Sequence, residues 1–560
     1  YFIFMIKKIL NTYSQVIRWK YKQKDSIKLI KLYFQVQAQY IAMYFVLLSV
    51  YLVNFFVREY DAARILAVFP IPSISHQVAF RPLTQELAKR GHELVILTTD
   101  PAFQGDIPQN ITEINLHDES YKIWRNGFVN KVDGKLSSYD IMDIGFNLIR
   151  DIFEVQLQNK EVQNLIRRKE KFDLIFIEAC VRPALVITHI FKAPVIQISS
   201  LGALIPNYIV HGAPSHPLLY PGTMSERVYN LTFWEKIDSI YFQMRMRLLA
   251  SSLEEKENEM FKRHFGPNTP NVQELSDNVD MLFLNMDRIW EGNMPVPPGV
   301  IHLGGLHLKP HKPLPKDLET YLNSSVHGVI YMSFGTNVQP SLLPPEKIQV
   351  FMNVFAKLPY DVLLKWDKHE LAGRPNNVRL FKWIPQSDLL RHPKIKLFIT
   401  QAGLQSTDEA INAGVPLIAF PMLADQWYNA EKYVHFKIGK KFQLATITED
   451  VLKEAVNTVI ADESYRNNII KLRTLMHDQP QTSLERAVWW TEHVLRHGTA
   501  RHLRAPAANM GWSEYLVLDV LSVLFVLLII TIIIAIKLFY YVFMLLSNND
   551  ITIIHNKKND

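Results

Sequence analysis

The sequence predicts an α/β chain of two parallel-sheet domains, followed near its C-terminal end by one membrane-spanning helix. Three observations predict it. Short apolar runs alternate with helical spacing in two blocks, a proline-rich stretch separates the blocks, and a long apolar run follows the second. At 560 residues the chain exceeds one ordinary domain, and two α/β domains account for most of it. Apolar residues make up 48% and charged residues 21%, a globular composition with membrane segments added. The net charge of +7 is spread along the chain without a basic patch of interleaved aromatics, which argues against nucleic acid as a partner. A single cysteine, Cys180, excludes an internal disulfide and a Cys-based zinc site.

The first block opens with a βαβ unit at Arg64 to Thr99: a strand at 65–69, a loop at 70–75, a helix at 78–90 stopped by Gly91, and a strand at 94–97. Further strand-like runs lie at 174–177 and 195–198. Between Met294 and Leu318 six prolines accumulate; proline cannot donate to a ladder, so 294–318 reads as a linker. The second block places strands at 329–333, 362–365, 378–381, 397–400 and 417–420, with a helix after Pro345. Residues 64–293 and 319–510 are thus expected as two Rossmann-like domains facing a cleft.

Two apolar segments bear on the compartment. Leu516 to Ile536 is a 21-residue run whose only charge is Asp519, long enough to span a bilayer, with Trp512 and Tyr515 before it and Lys537 closing it. It is apolar on every face, unlike a surface helix. Ile41 to Val57, followed by Arg58, Glu59 and Ala62–Ala63, reads as the apolar core and cleavage region of a signal peptide at 43–62, with a second membrane anchor as the competing reading. Residues 1–42, Lys- and Tyr-rich and preceding Met43, read as an upstream extension of the gene model, and 537–560 as a cytosolic tail.

The stretch "FITQAGLQSTDEA", Phe398 to Ala410, ends a buried strand at a Gln-Ala-Gly turn and opens a helix. Ser406 and Thr407 stand where an N-cap is expected, Asp408 and Glu409 in the first turn, and Gly414 at the stop. Helix N-termini attract anions. Around it, Trp383 to Gln426 matches W-x-P-Q, H-P, F-I-T, G, S-T, E, G-V-P, P and D-Q over 44 residues. This segment closely resembles the signature of UDP-glycosyltransferases, the family that includes UDP-glucuronosyltransferases. The resemblance continues through "YMSFGT" and "SISHQ…PL…ELAKRGHE" and covers nearly everything from 64 to 536.

The resemblance implies a GT-B glycosyltransferase fold with the nucleotide sugar in the C-terminal domain. It implies that Trp383 stacks on uracil, that Gln386 and Glu409 bind the ribose hydroxyls, and that Asp425 and Gln426 hold the sugar hydroxyls. Ser333, Thr400 and the turn from Gln401 through Gly403 and Gln405 to Ser406 would face the pyrophosphate. Elementary chemistry agrees: an indole face suits a flat base, a carboxylate accepts two hydroxyl hydrogens, and Gly403 at the helix mouth lets backbone N–H groups approach phosphate. Singly, Trp383 reads as a core aromatic, Glu409 as a dipole-complementing acid and Asp425–Gln426 as a cap; the joint spacing overturns each.

Two departures stand out. The family pattern has His-Gly where this chain has Gln401–Ala402, the Gln being a feature of insect-like members; Ala402 is strained only if its φ is positive. The resemblance also implies that His76 is the general base for the acceptor hydroxyl, oriented by a carboxylate that is Glu178 here rather than the family's Asp. No D-x-D motif and no linear set of ligands calls for a metal or other cofactor. The expected activity is inverting transfer of a hexose, glucose or glucuronate, from a UDP-sugar to a hydroxyl of a small lipophilic acceptor. A membrane-anchored binding homologue without chemistry is the alternative. Sequons at Asn110, Asn230 and Asn323 and a dilysine-like Lys557–Lys558 favour an endoplasmic reticulum membrane protein with lumenal domains. The acceptor is not encoded legibly, and a homo-oligomer is compatible with the sequence.

Overall fold

The computed structural model describes residues 14, 32–38, 40, 42–44, 62–129 and 137–556. Residues 1–62 form a unit of their own, whose described residues up to 44 are helical. The expected upstream extension and signal segment fall almost wholly outside the described residues, as do Lys557 and Lys558.

In the unit from Ala63 onward, β1 (Arg64–Phe69), β2 (Glu93–Thr98), β3 (Ile111–Asn115), β4 (Leu174–Glu178), β5 (Val195–Ser199), β6 (Val279–Leu284) and β7 (Val300–His302) form one sheet, in the order β3-β2-β1-β4-β5-β6-β7. A second sheet takes the order β10-β9-β8-β11-β12-β13, from β8 (Val329–Ser333), β9 (Asp361–Lys365), β10 (Val378–Phe381), β11 (Ile395–Thr400), β12 (Leu417–Ala419) and β13 (Gly439–Lys441). Every pairing in both is parallel. Parallel strands are covered on both faces, which is why they read as unbroken apolar runs. Ile65, Ala67 and Phe69 of β1 enter one core cluster, while Leu66 and Val68 enter the other. Tyr331 and Met332 of β8 divide in the same way.

The helices that matter for the site are α1 (Ile74–Lys89), α2 (Ser138–Leu157), α3 (Phe233–Phe265), α4 (Gln386–Leu390), α5 (Leu404–Ala413), α6 (Gln426–His435), α7 (Ser483–His497) and α8 (Leu518–Asn556). Three sequence expectations need correcting. The proline-rich stretch contains an element: Val300–His302 is the edge strand β7, three residues long, paired with Leu282–Leu284, and an edge tolerates flanking prolines. Helix α7, expected with the second domain, crosses back onto the first sheet. There Ala487, Val488 and Val494 join the β1 core, and Arg90 donates to Glu492 (3.1 Å). Finally, Lys537 does not close the terminal helix. Its apolar part runs from Leu518 to Leu546, wholly unburied, so the apolar length exceeds the expected 516–536. Strands β3, β6, β7 and β13 have no counterpart among the strands expected from the sequence.

Candidate active site

The strand ends of both sheets open onto one cavity of about 530 Å³, the position where ligands bind in doubly wound sheets. From the first sheet, the loop after β1 runs into α1, whose third residue is His76. Expected where the loop after β1 meets the start of a helix, His76 lies inside the first turn, because the helix begins at Ile74 rather than near Val78, after an extended Ser73 that makes no side-chain cap. The end of β4 delivers Glu178, fully buried. His76 Nδ1 donates to Glu178 Oε1 at 2.5 Å, and the second carboxylate oxygen accepts from the Ile71 N–H (3.3 Å). With Nδ1 engaged, Nε2 is the nitrogen left to take a proton. Cys180 Sγ stands 3.7 Å from the same carboxylate, and the potential ligand atoms of His76, Glu178 and Cys180 lie within 4.8 Å of one another. This grouping has no counterpart in linear spacing. Trp124, Phe128, Ile141, Met142 and Phe146 give this half an apolar wall.

The second sheet brings the polar half. Trp383 follows β10 and is 66% exposed on the cavity wall, so it is no core aromatic; Lys365 Nζ, from the end of β9, stands 4.8 Å from its ring centre. On α4, Gln386 donates to Glu409 Oε2 (2.7 Å) and Ser406 Oγ (2.9 Å) while accepting from Tyr331 (3.0 Å). Burial pushes the Glu409 carboxyl up to about 7, with the Gln386 hydrogen bond opposing it. At the start of α6, Asp425 accepts from Asn429 (2.8 Å), and Gln426 Oε1 accepts from the Met422 and Leu423 N–H groups (2.7 and 2.8 Å). Burial raises Asp425 to about 6; Asn429 and then His76 act against that rise.

The mouth of α5 differs from expectation. The helix begins at Leu404 with Gly403 as N-cap, so Ser406 and Thr407 are inside the helix and the first turn holds no acid. The reason is backbone geometry: Ala402 takes φ +68° and turns the chain early enough for the helix to start. Gly403 has φ −64° and serves by lacking a side chain, not by a left-handed conformation. Glu409 consequently meets Gln386 from the second turn. Asp408 is buried, neither of its oxygens has a hydrogen-bond partner among the described residues, and burial holds its carboxyl well above the usual range.

Ser333 and Thr400 do not line the cavity. Both are buried behind it, where Ser333 Oγ accepts from the Gly335 N–H and Thr400 Oγ1 from the Ala402 N–H (3.3 Å each). They shape the turns that follow β8 and β11. Gln405 lines the cavity, but its amide donates to Ser200 O (2.8 Å) and its carbonyl faces His307 Nε2 (3.2 Å), tying the two halves together. Sequence reasoning missed Lys365, His307 and the Ser73–Asn337 hydrogen bond (3.2 Å) that joins the loops after β1 and β8. A lysine ending a buried parallel strand was the available signal for Lys365.

Comparison with known proteins places this geometry. The family model described as "UDP-glucoronosyl and UDP-glucosyl transferase" matches residues 64–551. The chain belongs to that family. This UDP-glycosyltransferase is 35% identical over 83% of its length to an ecdysteroid UDP-glucosyltransferase of Spodoptera littoralis nuclear polyhedrosis virus, covering 94% of the relative. It is 31% identical over 86% of its length to UDP-glucosyltransferase 2 of Dactylopius coccus, again covering 94%. In three dimensions it resembles a UDP-glucose:anthocyanidin 3-O-glucosyltransferase solved with UDP, with TM-score 0.53 and 16% identity over 77% of this chain and 99% of that one. The likeness is of the GT-B fold.

The transferase's two departures from the family pattern now have geometry. Gln401 is buried with its Nε2 packed on Gly335, where a Cβ would collide and where φ is +75°. Its Oε1 has no hydrogen-bond partner among the described residues. The positive φ at Ala402 is the strained case, of order 1 kcal/mol for a non-glycine residue.

Proposed function

We propose that this transferase moves glucose from UDP-glucose to a hydroxyl of a small lipophilic acceptor such as a steroid, with inversion at the anomeric carbon. Conjugation of hormones or foreign compounds is the corresponding role. The observation that carries the reading is His76, which is held from behind by the buried Glu178 and shares one cavity with Asp425 and Glu409 between an apolar wall and a polar one. His76 Nε2 takes the acceptor's hydroxyl proton as its oxygen bonds the anomeric carbon; the bond from that carbon to the UDP oxygen breaks, and UDP leaves as the anion. Glu178, held by the Ile71 N–H, keeps Nδ1 protonated and the ring oriented.

Trp383 stacks the base, Gln386 and Glu409 hold the ribose, and Asp425 with Gln426 the sugar. The N-terminus of α5, Gln401 and Lys365 bear the diphosphate charge, so no metal is required. A carboxylate at Asp425 suits neutral glucose better than glucuronate, and the relatives' names point the same way. The anchor Leu518–Leu546 and the exposed sequons at Asn230 and Asn323 support lumenal domains in the endoplasmic reticulum. Asn110 does not, because its amide already donates to Ala88 O and His92 O (2.7 and 2.8 Å).

The test is His76→Ala with labelled UDP-glucose and a panel of lipophilic alcohols. The expected outcome is a rate lower by about two orders of magnitude or more with UDP affinity retained. An unchanged rate removes His76 as the base. Failure of the unaltered chain to label any acceptor from any UDP-sugar would instead favour a non-catalytic binding homologue.

A further inference from the structure

Helix α3 carries two apolar faces. The inner one, with Met246, Leu249 and Leu253, packs on Met142, Phe146 and Met224, which line the cavity. The outer one is a run of large exposed side chains: Trp234, Ile237, Ile240, Tyr241, Met244 and Leu248, with Trp234 71% and Leu248 68% exposed. At 100° per residue these six fall within an arc of about 120°, opposite the packed face, over about 20 Å of helix. Lys236 borders the arc on one side; on the other lie Asp238 and Arg245, whose guanidinium stands 3.5 Å from the Tyr139 ring centre. Among the described residues no hydrophobic cluster takes up this second face, and a continuous exposed apolar surface marks an interaction site.

Its position indicates the partner. The Ala505 N–H donates to His211 O (3.1 Å), and Gly212 seats against Ala505–Ala508. Three residues on from Gly212, Ser215 Oγ accepts from Gln243 of α3 (3.4 Å). The stripe is therefore tied through 211–215 to residues 505–508, ten residues before the apolar helix α8 begins at Leu518. We propose that the outer face of α3 lies in the headgroup–acyl boundary of the membrane that holds α8, as a second, interfacial attachment of the first half. A helix with an exposed apolar stripe and a polar remainder is the pattern of such interfacial helices, and Lys236 at the edge of the stripe suits anionic headgroups. The inference rests on α8 being a membrane anchor, and it does not depend on the proposed reaction.

The full chain in vesicles of phosphatidylcholine and phosphatidylserine tests it. A fluorophore is attached through Tyr241→Cys, or through Lys368→Cys, exposed in the loop after β9 of the second sheet. The parent chain with Cys180 alone sets the background. Brominated acyl chains should quench most of the emission at 241 and leave 368 unaffected, whereas iodide in the buffer should do the reverse. Emission at 241 quenched by iodide and not by brominated lipid overturns the proposal. Protection of 241 from both quenchers also overturns it, in favour of a second copy covering the face. A chain that leaves the vesicle fraction overturns the anchor and this attachment with it, while glucosyl transfer, measured separately, stands or falls independently of that outcome.

Discussion

Glu409 sits on the second turn of α5, buried, with its carboxyl pushed up to about 7. Because the folded value exceeds the unfolded one, the fold holds the proton longer than the open chain does. Its stabilising contribution is complete below the unfolded value and is lost as pH rises through about 7, on the order of 3 kcal/mol by pH 8. Glu409→Gln should therefore raise the melting temperature of the free protein at pH 8 and change it little near pH 4. On the proposed assignment of Glu409 to the ribose hydroxyls, it should also raise the KM for the UDP-sugar by about tenfold or more through loss of a charged acceptor; a calorimetric melt and a steady-state titration check both. A melting temperature that falls at pH 8 would contradict the burial argument. Ala402 offers a second check. Relief of its left-handed strain, of order 1 kcal/mol, is offset by about 0.8 kcal/mol for the lost buried methyl, so Ala402→Gly should be nearly neutral. Ala402→Val adds a β-branched side chain at φ +68° in a packed site and should cost about 2 kcal/mol or more in denaturant melts.

At the scale of elements, α7 is closed by a reciprocal cap: Thr482 Oγ1 accepts from the Glu485 N–H (3.2 Å) and Glu485 Oε2 from the Thr482 N–H (2.8 Å). Because α7 covers the first sheet, Thr482→Ala should lower the stability of that whole half by about 1 kcal/mol, read as a shift in urea midpoint with an unchanged slope. Caps also explain which helix starts were legible. Side-chain caps leave a Ser, Thr, Asn or Asp signature, and Gly414 marks the stop of α5 with φ +72°. The starts of α1 and α5 have no side-chain cap bond at Ser73 or Gly403, so sequence placed both helices a few residues late. That shift put His76 just ahead of its helix and Glu409 in a first turn, whereas they lie in a first and a second turn respectively.

For the whole molecule, the apolar part of α8, Leu518–Leu546, is unburied, and the core clusters of the described residues lie before it. A chain ending at Met510 should thus melt at the same temperature as the full one. It should be released from membranes by alkaline carbonate, which leaves the full chain in place. A lower melting point would show that the terminal helix supports the fold.

Much of this protein was determined by its sequence alone. Unbroken apolar runs of four to six residues made buried parallel strands, because strands covered on both faces need no polar alternation. The spacing from Trp383 to Gln426 identified the family, because most of that segment's polar residues follow a strand or open a helix, with Glu409 reaching the cavity from a second turn. The tertiary structure decided the rest. Strands β3, β6, β7 and β13 are too short or too mixed to stand out, and they exist because neighbouring strands supply their hydrogen bonds. The return of α7 to the first sheet, the approach of Lys365 to Trp383 and the pairing of His76 with a glutamate 102 positions away are long-range contacts. Packing settles such contacts only once both sheets are in place, and local propensity carries no record of them.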